Sequence, residues 1–155
     1  MYAFISAVLI QLPLGYFFFS LESLVLGNGF ITAPKEAIKL YLISILLVSC
    51  TVILIIGLPL YFMLKKHNLN TTLNVAGVGF LIPFLFLLIL GLGMADYGGY
   101  SARENYYGTV RETFVGGTRT MWGWITFLEG ILTFGVHGVV GATVFHKIYT
   151  RKIEA

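Results

Sequence analysis

The chain has 155 residues, of which 57% are hydrophobic and 11% are charged, and its formal net charge is +3. Soluble domains are far less apolar, so this composition excludes a soluble enzyme and gives no reason to expect a nucleic-acid partner. Most of the chain is therefore expected to lie in lipid.

Four apolar runs divide the chain, and each reaches the roughly 20 residues that a helix needs to cross a hydrocarbon core of about 30 Å. Backbone groups in lipid have to be bonded within their own segment, which favours helices. The predicted spans cover about residues 2–26, 38–64, 75–94 and 121–145. The sequence thus predicts an all-α, polytopic membrane protein in which residues 1–155 form a single domain, a bundle of four transmembrane helices.

Proline interrupts three of the four predicted helices. Pro13, Pro59 and Pro83 lie in the first, second and third runs. A proline inside a helix removes one backbone hydrogen bond and favours a kink. Three kinks in one bundle are compatible with an internal cavity, although transmembrane helices also tolerate prolines without one.

The basic residues indicate how the chain is threaded. Lys65 and Lys66 follow the second run, and three further basic residues from Lys147 onward follow the fourth. Five other basic residues lie on the opposite side, so the count alone does not decide: Lys35, Lys39, Arg103, Arg111 and Arg119. Position does, because positive residues next to the ends of transmembrane helices favour the cytoplasmic side. We therefore expect a multi-pass protein of the cell (inner) membrane with both termini in the cytoplasm and the loop 95–120 on the outer side.

Polar residues inside the predicted spans are informative because they are costly in lipid. Glu129, Thr133 and His137 recur at intervals of four in the fourth run, which places them on one helix face. Gln11 and Glu22 share a face of the first run. This set, the intramembrane polar stripe, is expected to turn the first and fourth helices toward each other. It is compatible with an ion or proton path and also with structural hydrogen bonds between helices.

Small residues form a second pattern in the fourth run. Gly138 and Ala142 are a small pair separated by three residues, and further glycines flank them. Such pairs let two helix backbones approach closely, within one bundle or between copies in a homo-oligomer. The residues predicted to serve helix packing are Gly130, Gly135, Gly138, Gly141 and Ala142.

The loop 95–120 contains an eight-residue unit written twice, at residues 101–108 and 109–116. Each copy has a hydroxyl residue followed three positions later by glutamate, the pattern of a helix capping box, and each ends in glycine. The pattern predicts a short interfacial helical cap between the third and fourth helices. The charged residues expected to bind lipid phosphates or another protein are Arg103, Glu104, Arg111, Glu112 and Arg119.

No catalytic pattern accompanies these features. The sequence has no phosphate-binding glycine loop and no His/Cys cluster with zinc spacing, so neither a cofactor nor a metal is expected. We predict a non-catalytic protein that binds another membrane component, as an accessory subunit or as a protective protein of the immunity or exclusion type. Its expected partners are membrane lipid and another membrane protein or a second copy.

Two other functions stay open at this point. One is a small oligomeric channel or transporter that uses the polar stripe, since ionisable residues inside a membrane often lie on ion or proton paths. The other is an enzyme acting on a lipid or quinone, for which the sequence offers no nucleophile–base pair.

Overall fold

Four helices of the computed structural model are long and apolar enough to cross a membrane, and they cover Tyr2–Leu21, Ile38–Lys66, Thr72–Leu92 and Met121–Arg151. The structure describes residues 1–25, 35–93, 99–106 and 108–154, without the side chains of residues 22–25, 37, 93 and 152–154. The fold is mostly helical, as predicted, and a small β-sheet joins the third and fourth spans.

Within the described residues the spans consist of α-helices and one π-helix. They are α1 (Tyr2–Leu9) and α2 (Gln11–Val25) in the first span, α3 (Lys35–Val52), the π-helix (Ile53–Gly57) and α4 (Leu58–Lys66) in the second, α5 (Thr72–Gly93) in the third, and α6 (Met121–Glu154) in the fourth. We call the end of the bundle that holds Met1 and Lys66 the termini end. The opposite end, where α5 ends and α6 begins, is the sheet end.

Two of the three prolines mark the irregular points of these helices. Pro13 has no N–H with which to complete the preceding turn, and the first span is interrupted at Ile10. In the second span the π-helix directly precedes α4, in which Pro59 lies near the start. The N–H of Leu58 donates to the carbonyl of Ile53, five residues back. The third proline stays inside the continuous α5.

The spans follow one another around the bundle in the order second, first, fourth, third. The most extensive packing is that of α5 on α6, followed by α1 on α6 and α2 on α3. The second span makes few contacts with the third, apart from those of α4 next to the short connection. The apolar core lies toward the termini end and contains Ala3, Ala7, Tyr61, Val75 and Phe145.

Two glycines bring the third and fourth spans into backbone contact. A Cβ added to Gly79 would meet the carbonyl oxygen of Gly138, and a Cβ added to Gly138 would meet the carbonyl oxygen of Gly79. Ala142 lies against the same point of α5. The small pair identified in the sequence is therefore part of a backbone-to-backbone contact between α5 and α6.

The other three glycines predicted to pack have different surroundings. Gly135 lies against the ring of Phe80, and Gly141 lies against the side-chain amide of Gln11. Nothing lies within 4 Å of a Cβ added to Gly130. Gly130 borders a groove below the sheet, so it packs against no other span within the described chain.

The segment between the third and fourth spans forms a three-stranded antiparallel sheet, and the predicted helical cap is wrong. The strands β1 (Ala102–Tyr106), β2 (Thr109–Val115) and β3 (Thr118–Arg119) pair in that order. A bulge in β2 interrupts the register near Ala102. The fold is thus not all-α.

Turn residues explain why strands form where capping boxes predict helices. Gly116 and Gly117 have φ values of 57° and 84° and form a two-residue connection between Val115 and Thr118. Such a Gly-Gly connection favours a hairpin, because both of its residues need positive φ. The β-branched threonines and valines of β2 also favour a strand. The two copies themselves pair in the separate hairpin of β1 and β2, where Gly108 just before β2 has a φ of 78°. That hairpin pairs the backbone groups of both copies, whereas a capping box satisfies only the first turn of each helix.

Because Gly138 contacts Gly79 and a Cβ added to Gly130 would meet no described neighbour, we expect alanine substitutions at these two positions of α6 to differ in their effect on stability. Gly138→Ala places a methyl group against the carbonyl of Gly79. Since the helices then have to separate, we expect the free energy of unfolding to fall by about 1–3 kcal/mol. Gly130→Ala meets no neighbour and should be neutral or stabilise by up to about 1 kcal/mol, because alanine favours a helix more than glycine does. Unfolding in detergent measures both, and equal stabilities would contradict the close contact.

Candidate functional site

The two copies of the repeat pair with each other in the sheet. The register of β1 and β2 places Arg103 opposite Glu112 and Glu104 opposite Arg111. Arg103 Nη2 lies 2.6 Å from Glu112 Oε1, and these two side chains are 70% and 52% exposed. An ion pair this exposed contributes at most about 1 kcal/mol to stability. Its main structural effect is to display two opposite charges at fixed positions.

These two charged residues belong to one side of the hairpin. Side chains alternate between the two sides of a strand, so every second residue shares a side. We call this side the ion-pair face, and it consists of four exposed residues, Arg103, Asn105, Val110 and Glu112.

The other side of the hairpin faces α6. The guanidinium of Arg111 lies 4.6 Å from the ring centroid of Trp122, and the ring of Tyr106 lies 5.2 Å from the same indole. The hydroxyl of Tyr106 donates a hydrogen bond of 2.7 Å to Glu129 Oε1. The two arginines of the repeat therefore point in opposite directions: Arg103 away from the helices and Arg111 onto α6.

Arg119 joins the sheet to both helices at the sheet end. Its Nη2 donates to the carbonyl of Gly91 at 3.0 Å, in the last turn of α5, and its Nη1 donates to the carbonyl of Gly123 at 3.3 Å, in the first turn of α6. The last carbonyls of a helix lack partners in the helix and favour a nearby cation. Three aromatic rings surround the guanidinium, at 4.2 Å for Phe127, 4.8 Å for Phe114 and 5.2 Å for Trp124.

The surroundings of Arg119 affect its ionisation in opposite directions. Burial lowers the pKa of the Arg119 guanidinium, and the carboxylate of Glu104 raises it. Arginine remains charged near neutral pH even so. Its hydrogen bonds to the two helices are therefore charge-assisted, which makes them stronger than bonds between neutral groups.

Thr120 fixes the sheet to α6 through the backbone. Its Oγ1 accepts a hydrogen bond from the N–H of Gly123 at 3.2 Å, as an N-cap residue does, and donates to the carbonyl of Glu112. The N–H of Thr120 donates to the carbonyl of Thr113 at 3.0 Å. The ion-pair face is thus held in a fixed orientation relative to the fourth span.

The predicted polar stripe does not form one continuous line. Glu129 is exposed and bonded to Tyr106, whereas His137 is half-buried against the first span. Each step of four residues overshoots a full helical turn by about 40°, so Glu129 lies about 80° around α6 from His137. Thr133 lies between them and is half-buried. The side chain of Glu22 lies outside the described part of the chain, so its expected place in the stripe stays a prediction.

Gln11 and His137 form a closed pair between the first and fourth spans. Gln11 is 3% exposed, and its Nε2 donates to the carbonyls of Ala7 at 3.2 Å and His137 at 3.3 Å. Since both amide hydrogens are then used, Gln11 Oε1 can only accept, and it lies 2.6 Å from His137 Nδ1. The imidazole therefore carries its proton on Nδ1 and leaves Nε2 as an acceptor.

Tyr61 and His146 form a second pair, which the sequence did not predict. The Tyr61 hydroxyl lies 3.2 Å from His146 Nδ1, and the two residues are 4% and 7% exposed. They lie in different spans, so no spacing along one helix relates them. The pair ties the second span to α6 at the termini end, where Tyr61 also packs against the ring of Phe145.

The geometry defines the class of the protein as a four-span helical bundle with a small sheet at one end. Across the described ranges, no group of three or more His, Cys, Asp or Glu residues is placed to hold a metal ion. Neither known family models nor curated proteins nor solved structures match this chain. Its function therefore has to be argued from its own residues.

Arg119 and Arg103 should differ strongly in their contribution to stability. Arg119→Gln removes a charge-assisted bond to each of two helices, so we expect the free energy of unfolding to fall by about 1–3 kcal/mol. Arg103→Gln breaks an exposed ion pair and should cost less than about 1 kcal/mol. Denaturation followed by tryptophan fluorescence measures both variants. A smaller loss of unfolding free energy for Arg119→Gln than for Arg103→Gln would show that Arg119 does not join the sheet to the two helices.

A double-mutant cycle tests the pair between the first and fourth spans. We expect Gln11→Leu and His137→Leu to be less destabilising together than the sum of the single changes, with a coupling of about 0.6–2 kcal/mol. The control cycle combines Gln11→Leu with His146→Phe, whose partners are separate, and should be additive within about 0.5 kcal/mol. Additivity in both cycles would show that the hydrogen bonds between Gln11 and His137 contribute nothing.

Proposed function

We propose that the protein is a non-catalytic, multi-pass membrane protein that binds another membrane protein through the ion-pair face of its sheet. In this proposal both termini lie in the cytoplasm, and the ion-pair face lies on the outer side of the cell (inner) membrane. Binding of this kind is what an accessory subunit, or a protective protein of the immunity or exclusion type, requires.

One observation carries the proposal: the ion-pair face is preformed and held at a fixed orientation. Arg119 and Thr120 fix the sheet to the helices, so the exposed charges of Arg103 and Glu112 do not have to be ordered when a partner binds. Preorganisation of this kind lowers the entropic cost of association. Two opposite charges at fixed positions also give specificity, since a partner with the reverse arrangement of charges is attracted and other arrangements are repelled.

The channel or transporter that the polar stripe suggests is less well supported. Glu129 bonds to the sheet on an exposed face, whereas His137 bonds to Gln11 between two spans. A proton or ion path needs groups within hydrogen-bonding reach, or linked by water, and these two residues are eight positions, or about 12 Å, apart along α6.

A charge swap tests partner binding without removing the ion pair. Arg103→Glu combined with Glu112→Arg keeps opposite charges at the paired positions, so the hairpin should retain its stability. The surface pattern is reversed, and we expect recovery of the partner from native-lipid preparations to fall about tenfold or more, since facing like charges cost several kcal/mol. Quantitative mass spectrometry of proteins photocrosslinked from position 110 measures the recovery.

Lys147→Glu, an exposed change at the termini end, is the matched control and should leave recovery unchanged. The proposal fails if the swapped protein captures the same neighbour in the same amount as the unaltered chain. It also fails if position 110 crosslinks only to lipid.

A further inference from the structure

An apolar cavity lies inside the bundle, separate from the sheet. Its volume is about 140 Å³, it is partly open to the surroundings, and all four spans line it. Along α6 it extends from Phe134 to Phe145, eleven residue steps that correspond to about 16 Å of helix. The described residues that line it include Gln11, His137 and Tyr61 but no Asp, Glu, Lys or Arg. Its shape and lining suit an elongated, uncharged molecule.

The gap between the second and third spans opens this cavity sideways. The π-helix and the neighbouring turns of α3 form one wall, α5 forms the facing wall, and these two walls make few contacts with each other. Tyr61 is the only buried residue among those described in the second span, so this span is held loosely along most of its length. A molecule dissolved in the hydrocarbon core can therefore enter without crossing water.

The depth of the polar pair restricts what such a molecule can carry. Gln11 lies midway along the candidate span Tyr2–Leu21, and His137 lies midway along Met121–Arg151. In a bilayer both residues lie near the midplane. A charged headgroup is costly at that depth, whereas an uncharged polar group is tolerated if it forms a hydrogen bond.

The hydrogen-bonding state of His137 determines which polar group fits. Because Nδ1 donates to Gln11 Oε1, Nε2 presents a lone pair, and no described residue donates to it. His137 is also part of the cavity wall. We therefore assign His137 Nε2 as a hydrogen-bond acceptor at the midplane end of the cavity, and the complement of an acceptor is a donor. The hydroxyls of Ser49 and Tyr61, which also line the cavity, can accept such a donor too, but each has a proton of its own to donate.

We propose that the cavity binds an uncharged amphiphile consisting of an apolar chain with a hydroxyl group at its end. The chain lies between the second and third spans toward the termini end, and the hydroxyl donates a hydrogen bond to His137 Nε2. This site is independent of the ion-pair face, since it lies on the other half of the bundle and shares no residue with that face.

The experiment uses the full chain in lipid nanodiscs and a long-chain alkanol that carries a photoactivatable diazirine. We expect the alkanol to label peptides from α3 to α5, and we expect unlabelled alkanol to compete roughly three- to tenfold better than its methyl ether. The ether has the same chain and an oxygen acceptor but no O–H donor, so the difference reports on the contact to Nε2.

Two variants test separately whether the alkanol occupies the cavity and whether it bonds to His137 Nε2. Ser49→Phe fills the cavity from the loosely packed second span and should abolish labelling, whereas Leu47→Phe, an exposed change outside the lining, should not. His137→Asn keeps an N–H for Gln11 but has no group at the position of Nε2. It should weaken alkanol binding roughly three- to tenfold and remove the preference over the ether.

Equal labelling of Ser49→Phe and the unaltered protein would overturn the cavity as the binding site. Equal competition by alkanol and ether in the unaltered protein would overturn the hydroxyl contact and indicate that any apolar chain fills the space. This second comparison needs no variant, so it decides the proposal even if a substitution prevents folding.

Discussion

The position of the sheet relative to the helices depends on the hydrogen bonds of the Arg119 guanidinium. The carbonyl of Gly91 lies in the last described turn of α5, and this one side chain donates to it while it also reaches the start of α6. Three aromatic rings lie 4.2 to 5.2 Å from the guanidinium and add cation–π contacts to these hydrogen bonds. Because β3 ends at Arg119, the position of this side chain also determines where the sheet lies. The outward direction of Arg103 follows from that position.

The helical spans were predictable from the sequence and the sheet was not, for physical reasons that differ. The length of an apolar run can be read directly from the sequence. In lipid the backbone groups of such a run have to bond to one another, which favours a helix. The repeat contains two competing local patterns, because Thr109–Val115 matches a capping box at its start and a strand by its β-branched residues. Glycines at both ends of β2 favour the strands, Gly108 in the turn from β1 and Gly116 and Gly117 in the turn to β3. They favour tight turns because glycine adopts positive φ without strain.

The candidate site was likewise predictable from the sequence only in part. The expectation that the first and fourth spans turn polar residues toward each other corresponds to a contact in the structure, that of Gln11 with His137. Glu129 was grouped with His137 because a spacing of four resembles a helical repeat, and the accumulated rotation places it on another face instead. The pair of Tyr61 and His146 depends on how two separate spans meet, so no pattern along the chain indicates it.

The register of the β1–β2 hairpin is the one expected if its two strands arose by duplication of a single segment. Antiparallel pairing reverses the order of one strand, so an adjacent Arg-Glu pair that is copied in tandem and folded back places each charge opposite its counter-ion. Arg103 and Glu104 are the first copy of such a pair, and Arg111 and Glu112 are the second. A single duplication of eight codons would therefore produce two strands whose charges are complementary from the outset, with no later substitution needed to match them.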